Sequence, residues 1–483
     1  MSAEAAYLFR HALLRDAAYQ LQLPGDRARL HETALAVMED QFGGRPPAPP
    51  PLKPGARDVA PPLPLDPCAH ELAEHAARAI PGRDSREELL AASRTYLRRT
   101  AEHAERTFRS EAACAAWEKY AELASEEERA AAQERAGHAA MNAGHSVLAE
   151  RLFRTALEAF RCAADRAAPF DSLRSLRARS AEATAQLDLL TLYHRTSRVE
   201  EAEAAAGAAL ALARESGLRN IESRAIGDLG LISYETGRLK EAEILLRQSR
   251  DIGRLCGDPR STGVAESNLA NLLVDLGRIA EAEPLYESAL RAFRDIPDRR
   301  LEAGVTCCQG TLFMQSGRLG PAERKLEEAI RLQREVGERY QEVFSLTNLA
   351  MLLADTGRAA EARARYTQAL ALAREVGDAR SEGSVLGNLA GLELSTGHSD
   401  AARRLFEEAL AIHRRVRNRA FEGAHACGLG LTLLALGDAA AARERWKEGA
   451  DILRAIGDVR ELDQVRAEMR RACGAAGVAT FEE

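Results

Sequence analysis

The chain has 483 residues, with 66 Lys and Arg against 73 Asp and Glu, which gives a formal net charge of −7 at pH 7. This length exceeds what one compact core holds, and the slight acidic excess disfavours a protein that coats duplex nucleic acid. Apolar residues make up 46% of the chain but aromatic residues only 5%. This composition favours helix-on-helix packing of small and aliphatic side chains over strand-rich folds.

The eight cysteines are scattered and form no C-x-x-C pair, which indicates a reducing compartment. The first fifteen residues lack the basic, apolar and small-residue order of a signal peptide, and no run approaches the roughly 18 apolar residues that a membrane helix needs. We therefore expect a cytoplasmic protein with neither a membrane nor a nucleic acid as partner.

Proline content and repeats divide the chain into five expected segments. A short helical adaptor over 1–43 precedes a proline-rich linker or exposed loop over 44–67, which holds ten of the seventeen prolines. Proline fixes φ and lacks an N–H, so this linker favours an extended polyproline conformation. Degenerate helical repeats are expected over 68–180, regular 40-residue repeats over 181–457, and a C-terminal capping helix and tail over 458–483.

Glycine recurs every 40 residues from Gly237 to Gly437, and an alanine follows each of these six glycines five positions later. A large residue comes nine positions after each glycine. Each unit predicts two antiparallel helices, the first of which ends at the glycine, since the missing Cβ suits a left-handed backbone. One unit cannot bury its own apolar stripe, so neighbouring units must stack. The second helix is expected to end near Gly257, Gly337, Gly377 or Gly457.

The recurring order is Asn-Leu-Ala, glycine seven residues later, alanine five later, then a bulky and a small residue. This order resembles the tetratricopeptide repeat, in the 40-residue form found in kinesin light chains and bacterial regulators. The resemblance covers roughly residues 97 to 457, and six copies keep phase without a gap. It implies an all-α fold, a right-handed superhelical solenoid of about nine antiparallel helix hairpins. It also implies a scaffold that binds a partner protein or peptide in its concave groove.

The stretch from Tyr7 to Leu35 resembles the helices downstream of the nucleotide-binding core in signal-transduction ATPases of the STAND type. The stretch from Cys68 to Ala77 resembles the segment between those helices and the repeats of that family. The chain contains no G-x-x-x-x-G-K-[ST] and no Gly-Lys pair, so no phosphate-binding loop is indicated. The resemblance implies a repeat arm without its ATPase. The alternative function is therefore a sensor arm of a split or truncated regulator that controls an ATPase, kinase or transcription factor in trans.

No catalytic or metal-binding pattern stands out. Cys68, His70 and His75 lie two and five residues apart, and a helix places the two histidines on different faces, unlike an i, i+4 pair. Cys307 and Cys308 are expected to be adjacent helix residues, one packed and one facing the groove. A metal site and redox sensing are the minor alternatives at these two places. We expect no catalytic residue, metal or cofactor, and hence no enzyme.

The residue before the recurrent leucine is asparagine in three copies. Asparagine is a mediocre helix former, so its return at one unit position calls for a reason. By the family resemblance this position lies on the concave side, where an amide can donate to and accept from the main chain of an extended peptide. Hydrogen bonds to neighbouring helices or water remain the alternative. Nearby aspartates favour a basic or amphipathic ligand. The predicted groove residues are Asn268, Asn271, Asn348, Asn388, Asp275 and Asp355.

Overall fold

The computed structural model describes residues 22–55, 60–81, 86–167, 171–196, 198–296 and 298–481. Within these ranges the chain is all-α and contains no strand. It divides into two compact units, unit 1 (Met1–Asp258) and unit 2 (Pro259–Glu483). None of the helices in these ranges is both long enough and apolar enough to cross a bilayer. The first 21 residues, including part of the expected adaptor, lie outside the described residues.

Unit 1 begins with two helices on either side of the proline-rich segment, and four antiparallel hairpins follow. The two leading helices are α1 (Pro24–Gln41) and α2 (Ala69–Ala79), the second preceded by a 3-10 turn (Asp66–Cys68). The hairpins are α3 (Arg86–Arg106) with α4 (Ser110–Leu123), α5 (Glu126–Asn142) with α6 (Ser146–Ala167), α7 (Ser172–Arg195) with α8 (Val199–Glu215), and α9 (Arg219–Glu235) with α10 (Leu239–Cys256).

Unit 2 consists of five hairpins and a terminal helix, α21 (Val459–Ala476), that packs on the last of them. The hairpins are α11 (Pro259–Asp275) with α12 (Ile279–Asp295), α13 (Arg299–Gln315) with α14 (Leu319–Val336), α15 (Arg339–Asp355) with α16 (Ala359–Val376), α17 (Ala379–Ser395) with α18 (Ser399–Arg415), and α19 (Arg419–Ala435) with α20 (Ala439–Ile456). The described residues thus contain the nine hairpins that the repeat period predicted.

The glycines that predicted the helix ends do end them. Gly357, between α15 and α16, has a φ of +78°, a left-handed conformation that a residue with a Cβ rarely adopts. The acidic residues after the second helices cap the next helix where they are aspartate: Asp378 and Asp458 each accept the backbone N–H three residues on, at 3.1 and 3.0 Å. Glu338 makes no capping bond.

Each hairpin closes where a small residue of the first helix faces a large residue of the second. A Cβ added to Gly430 would lie 2.9 Å from the backbone oxygen of Ala442 and 2.9 Å from Trp446 Cβ. At the equivalent place, a Cβ on Gly310 would lie 2.9 Å from Leu326 Cγ. The small residue therefore sets the distance between the two helices, and the large one fills the space beside it.

Candidate functional site

A groove of about 650 Å³ lies along the last three hairpins of unit 2 and α21. The first helices α15, α17 and α19 supply most of its lining. Two predicted groove residues, Asn388 on α17 and Asp355 at the end of α15, line it. The aromatic side chains of its lining are Tyr366, Phe406, Phe421 and His425.

The rim of this groove is acidic. Among the described residues that line it there are four carboxylates and no lysine or arginine, the carboxylates being Asp355, Asp458, Glu461 and Glu468. Burial, together with the neighbouring carboxylates of Asp458 and Glu468, raises the pKa of Glu461. A carboxyl group that resists ionisation because of its neighbours reports a negative local potential. The groove is therefore suited to a cationic ligand.

Two histidines form an aromatic cluster at one end of the groove. The ring centroids of His413 and His425 lie 5.0 Å apart, and Phe421 lies 5.5 Å from the first and 5.6 Å from the second. Burial, followed by the nearby His413, lowers the pKa of His425 to about 3. A Cβ added to Gly387 would lie 2.0 Å from His425 Cε1, so the imidazole rests on the backbone of α17. At neutral pH this ring is uncharged and serves as an aromatic surface.

Sequence analysis missed this cluster, because the eleven histidines show no spacing pattern. The available signal was Gly387, which stands where two earlier copies carry Cys307 and Thr347. A glycine in mid-helix costs helix stability, so its presence indicates that another group approaches the backbone there.

The recurrent asparagines are half-buried on three first helices of unit 2, namely α11, α15 and α17. Asn348 Nδ2 donates to Thr311 Oγ1 at 3.4 Å, and Asn388 Nδ2 lies 4.0 Å from Met351 Sδ. Each amide nitrogen thus points to the preceding hairpin, as the alternative interpretation allowed. Within the described residues neither amide oxygen accepts a hydrogen bond, so both remain available to a ligand N–H. Asn268 holds the equivalent place on α11.

The remaining predicted residues lie on an earlier hairpin, outside the lining of this groove. Asn271 Oδ1 accepts a hydrogen bond from Tyr286 Oη at 2.5 Å, so its side chain is held by the second helix of its own hairpin. Asp275 is exposed at the end of α11. The structure therefore brings Asn388 and Asp355 together on one groove and leaves Asn268, Asn271, Asn348 and Asp275 outside its lining.

The cysteine and histidine candidates do not converge. His75 Nδ1 lies 2.8 Å from His31 Nδ1, whereas His70 is paired with Glu74 on the exposed side of α2. Burial raises the pKa of the thiols of the vicinal cysteines 307 and 308, which keeps them protonated and poorly reactive.

One group in unit 1 has the donor set of a metal site. Glu134 and His138 lie one turn apart on α5, Asp188 lies on α7, and one ligand atom from each falls within 4.8 Å of the others. In this structure the group makes protein contacts: His138 Nε2 lies 3.2 Å from Asp188 Oδ2, and the Glu134 carboxylate accepts the backbone N–H of Gly55 at 3.0 Å. Sequence analysis did not find this group, because its members come from two separate repeats.

Comparisons with known proteins agree with this architecture. The family model of the MalT-like TPR region matches residues 189–375, and a tetratricopeptide repeat model matches residues 342–415. No curated protein matches the chain in sequence. The fold is similar to that of a Rap protein complexed with competence and sporulation factor, with a TM-score of 0.51 and 11% identity over 82% of this chain and 99% of that one.

Two further solved structures are similar. BtubC from P. vanneervenii has 25% identity and a TM-score of 0.41 over 45% of this chain and 92% of that one. A STAND protein with a tetratricopeptide repeat sensor, from Pyrococcus horikoshii, has 14% identity and a TM-score of 0.48 over 94% of this chain and 67% of that one.

The stacked hairpins define a helical-repeat protein, a class whose extended surfaces typically bind other molecules and do not catalyse reactions. The two family models together match residues 189–415, and with the fixed 40-residue period they identify this part of the chain as tetratricopeptide repeats.

Proposed function

We propose that this protein is a non-catalytic scaffold of bacterial cytoplasmic signalling that binds an extended segment of a partner protein, or a peptide, in the groove of unit 2. The observation that carries the proposal is the groove itself, where the amide of Asn388, at the recurrent asparagine position, borders an aromatic floor and an acidic rim. We assign no catalytic residue and no cofactor.

The ligand chemistry follows from the lining. An extended segment carries unsatisfied N–H and C=O groups along both edges, and the amide oxygen of Asn388 in the groove can accept one of its N–H groups. Asn348, one turn before Met351 on α15, can accept a second N–H from a ligand that extends beyond the lining. The aromatic floor stabilises an apolar side chain, while the carboxylate rim attracts lysine or arginine. The expected ligand is therefore extended and contains at least one basic and one apolar residue. A Rap protein with a similar fold is complexed with a factor. We propose for this chain only that it binds a ligand, and not that it binds the same factor.

A peptide selection on the full chain tests the proposal. A displayed library is selected on the wild-type protein, and the enriched peptides are labelled and titrated by fluorescence polarisation. We expect Asn348→Ala with Asn388→Ala to weaken binding about tenfold or more, because two hydrogen bonds of roughly 1 kcal/mol each are lost. Asn220→Ala, on the exposed face of α9, is the matched control. Equal binding by the double variant, with helix content unchanged, would refute the groove assignment.

The second candidate, a sensor arm that acts with an ATPase or kinase in trans, is favoured by the residues between Tyr7 and Leu35 that resemble the STAND type. Most of that stretch lies outside the described residues. A P-loop ATPase or kinase encoded by a neighbouring reading frame would support this candidate, and saturable ATP binding by the purified chain would contradict both.

A further inference from the structure

The proline-rich segment lies along the first helices of the first two hairpins of unit 1. We call residues 49–55 and 60–66 the strap; the residues between these two stretches lie outside the described part. The backbone N–H of Leu52 donates to Glu128 Oε1 at 2.8 Å, and that of Gly55 donates to the Glu134 carboxylate at 3.0 Å. The two donors lie three residues apart, and Gly55 has a left-handed φ of +69°, so the strap turns at this point. Helix α5 therefore contacts the main chain of the strap.

Helix α3 contacts the strap main chain in the same manner. Arg98 Nη1 donates to the carbonyl of Pro50 at 2.5 Å, and Arg106 Nη1 donates to the carbonyl of Ala60 at 2.9 Å. The N–H of Ala60 donates in turn to Glu102 Oε2 at 3.2 Å. These bonds involve backbone groups that every polypeptide has, so they depend on the conformation of the strap more than on its side chains.

The repeat register equates these residues with the predicted groove residues of unit 2. Helix α3 ends at a residue with a left-handed φ of +56°, Phe108, as the first helices of unit 2 end at left-handed glycines. The positions nine, six and two before that residue are occupied on α3 by Arg99, Glu102 and Arg106. The same positions on α11 are occupied by Asn268, Asn271 and Asp275. Unit 1 thus holds an extended segment at the positions from which unit 2 was expected to hold one.

Buried charges make this groove depend on an occupant. Arg99 and Glu102 are buried, and Asp66 of the strap, itself buried, accepts a hydrogen bond from Arg99 Nη1 at 2.9 Å and pairs with Arg106. Removing one partner of a buried ion pair leaves an uncompensated charge, which is strongly unfavourable. An empty groove would leave the arginines without that carboxylate, so a competing ligand must replace it.

We propose that the strap is the internal ligand of a second peptide-binding groove, and that a proline-rich segment of a partner protein binds this groove by displacing the strap. The ligand must be extended, must have non-proline residues three apart to donate N–H groups, and must end in a carboxylate that takes the place of Asp66. Because the strap is tethered, its effective concentration is on the order of millimolar. The wild-type chain therefore binds such a segment weakly. A variant with a weakened strap should bind it with an affinity closer to that of the empty groove.

The test uses the full chain and a fluorescent peptide with the sequence of residues 46–67. Leu52→Ser with Asp66→Asn weakens the strap and leaves the groove residues unchanged. We expect this double variant to bind the peptide at least tenfold more tightly than the wild type, and a further Arg98→Ala to remove that gain. Leu255→Ser, at a leucine of α10 that is 88% exposed, is the matched control and should bind as the wild type does. A peptide of the same composition in scrambled order should not bind.

A second measurement needs no variant. In the wild-type protein the amides of Leu52 and Gly55 should exchange hydrogen slowly, and excess peptide should accelerate their exchange. Exchange at the rate of an unstructured chain, or equal peptide binding by the wild type and the double variant, would overturn the proposal. Asn348→Ala with Asn388→Ala should leave this binding unchanged, so the outcome is independent of the groove in unit 2.

Discussion

At the scale of single residues, two glycines on α17 that both line the groove of unit 2 differ in what surrounds them. A Cβ on Gly387 would lie 2.0 Å from the His425 ring, whereas a Cβ on Gly391 would meet nothing within 4 Å. The first glycine is required by packing. The second is free to change.

We therefore expect Gly387→Ala to destabilise the protein by about 1 to 3 kcal/mol, the usual cost of overpacking. Gly391→Ala should stabilise it by roughly 0.5 to 1 kcal/mol, because alanine loses less backbone entropy in a helix. Urea unfolding of both variants measures the difference. Similar free energies of unfolding for the two variants would show that His425 does not lie against the α17 backbone.

The sequence predicts only some of the residues that line or border this groove. The family resemblance placed the recurrent asparagine position on the concave side, and Asn388 and Asp355 do line the groove. It could not locate His413 and His425. Their contact depends on packing between two hairpins, and that packing leaves no periodic trace in a single chain.

At the scale of elements, a buried glutamate near the start of several first helices connects that helix to the preceding second helix. Glu302 on α13 accepts hydrogen bonds from Arg294 of α12 and from Arg299 of its own helix, both at 2.7 Å. Burial raises the pKa of the Glu302 carboxyl, but the two arginines outweigh burial and the net effect lowers it. The glutamates that pair with an arginine eight residues earlier in this way are Glu222, Glu302, Glu342 and Glu422.

Glu302→Gln should lower the free energy of unfolding by about 2 kcal/mol at pH 7, since the lost hydrogen bonds involve charged groups. The folded pKa of Glu302 lies below its ordinary value of 4.5, so its stabilising effect is complete above that value and disappears as the pH falls through the folded pKa. The difference between wild type and variant should therefore shrink between pH 7 and pH 3. Denaturant titrations at several pH values measure it. Glu287→Gln, on the exposed side of α12, should show neither effect.

These pairs show why the charge pattern of the sequence predicts only some of the ion pairs. A charge pattern predicts pairs three or four residues apart, which is the rule within one helix. An arginine eight residues before a glutamate spans a helix end and the next helix start. This arginine and glutamate recur together at the 40-residue period of the sequence. Only the structure shows that the connection between two helices brings them into contact.

At the scale of the whole molecule, the period predicted the hairpins but not the division into units. The two units meet in sequence between Asp258 and Pro259, within the regular repeats, where no composition change marks a boundary. The period predicts how each hairpin folds. It does not predict where along the stack one compact unit ends and the next begins. The predicted division at residue 180 describes where the repeats become regular, and it stays a prediction.

Each unit contains one of the two tryptophans, Trp117 in unit 1 and Trp446 in unit 2, and both are buried. A Trp446→Phe variant therefore reports by fluorescence on unit 1, and a Trp117→Phe variant reports on unit 2. This arrangement separates the acid response of the two units.

We expect acid to weaken unit 2 in particular. Burial lowers the pKa of His413, and it lowers that of His425 to about 3, from an ordinary value of 6.5. The unfolded chain binds these protons at a higher pH than the folded chain does. The contribution of the two neutral histidines to stability is therefore complete above pH 6.5 and is lost as the pH falls from 6.5 towards 3. At pH 5.5 the protonation of His425 alone should cost about 1 kcal/mol of stability. In unit 1 burial also lowers the pKa of His31 and of His103, but the side-chain hydrogen bond with Glu235 raises the pKa of His194, and this opposes their effect.

The urea midpoint followed by Trp446 should therefore fall between pH 7.5 and pH 5.5, by more than the midpoint followed by Trp117. His425→Phe keeps an aromatic ring in the cluster but does not titrate, so it should reduce the pH dependence of unit 2 even if it changes the midpoint itself. The Glu302 pair does not confuse this result, because the pKa of its carboxyl group lies below 4.5. Equal shifts at the two tryptophans, or an unchanged slope in the His425→Phe variant, would show that the buried histidines do not control the acid stability of unit 2.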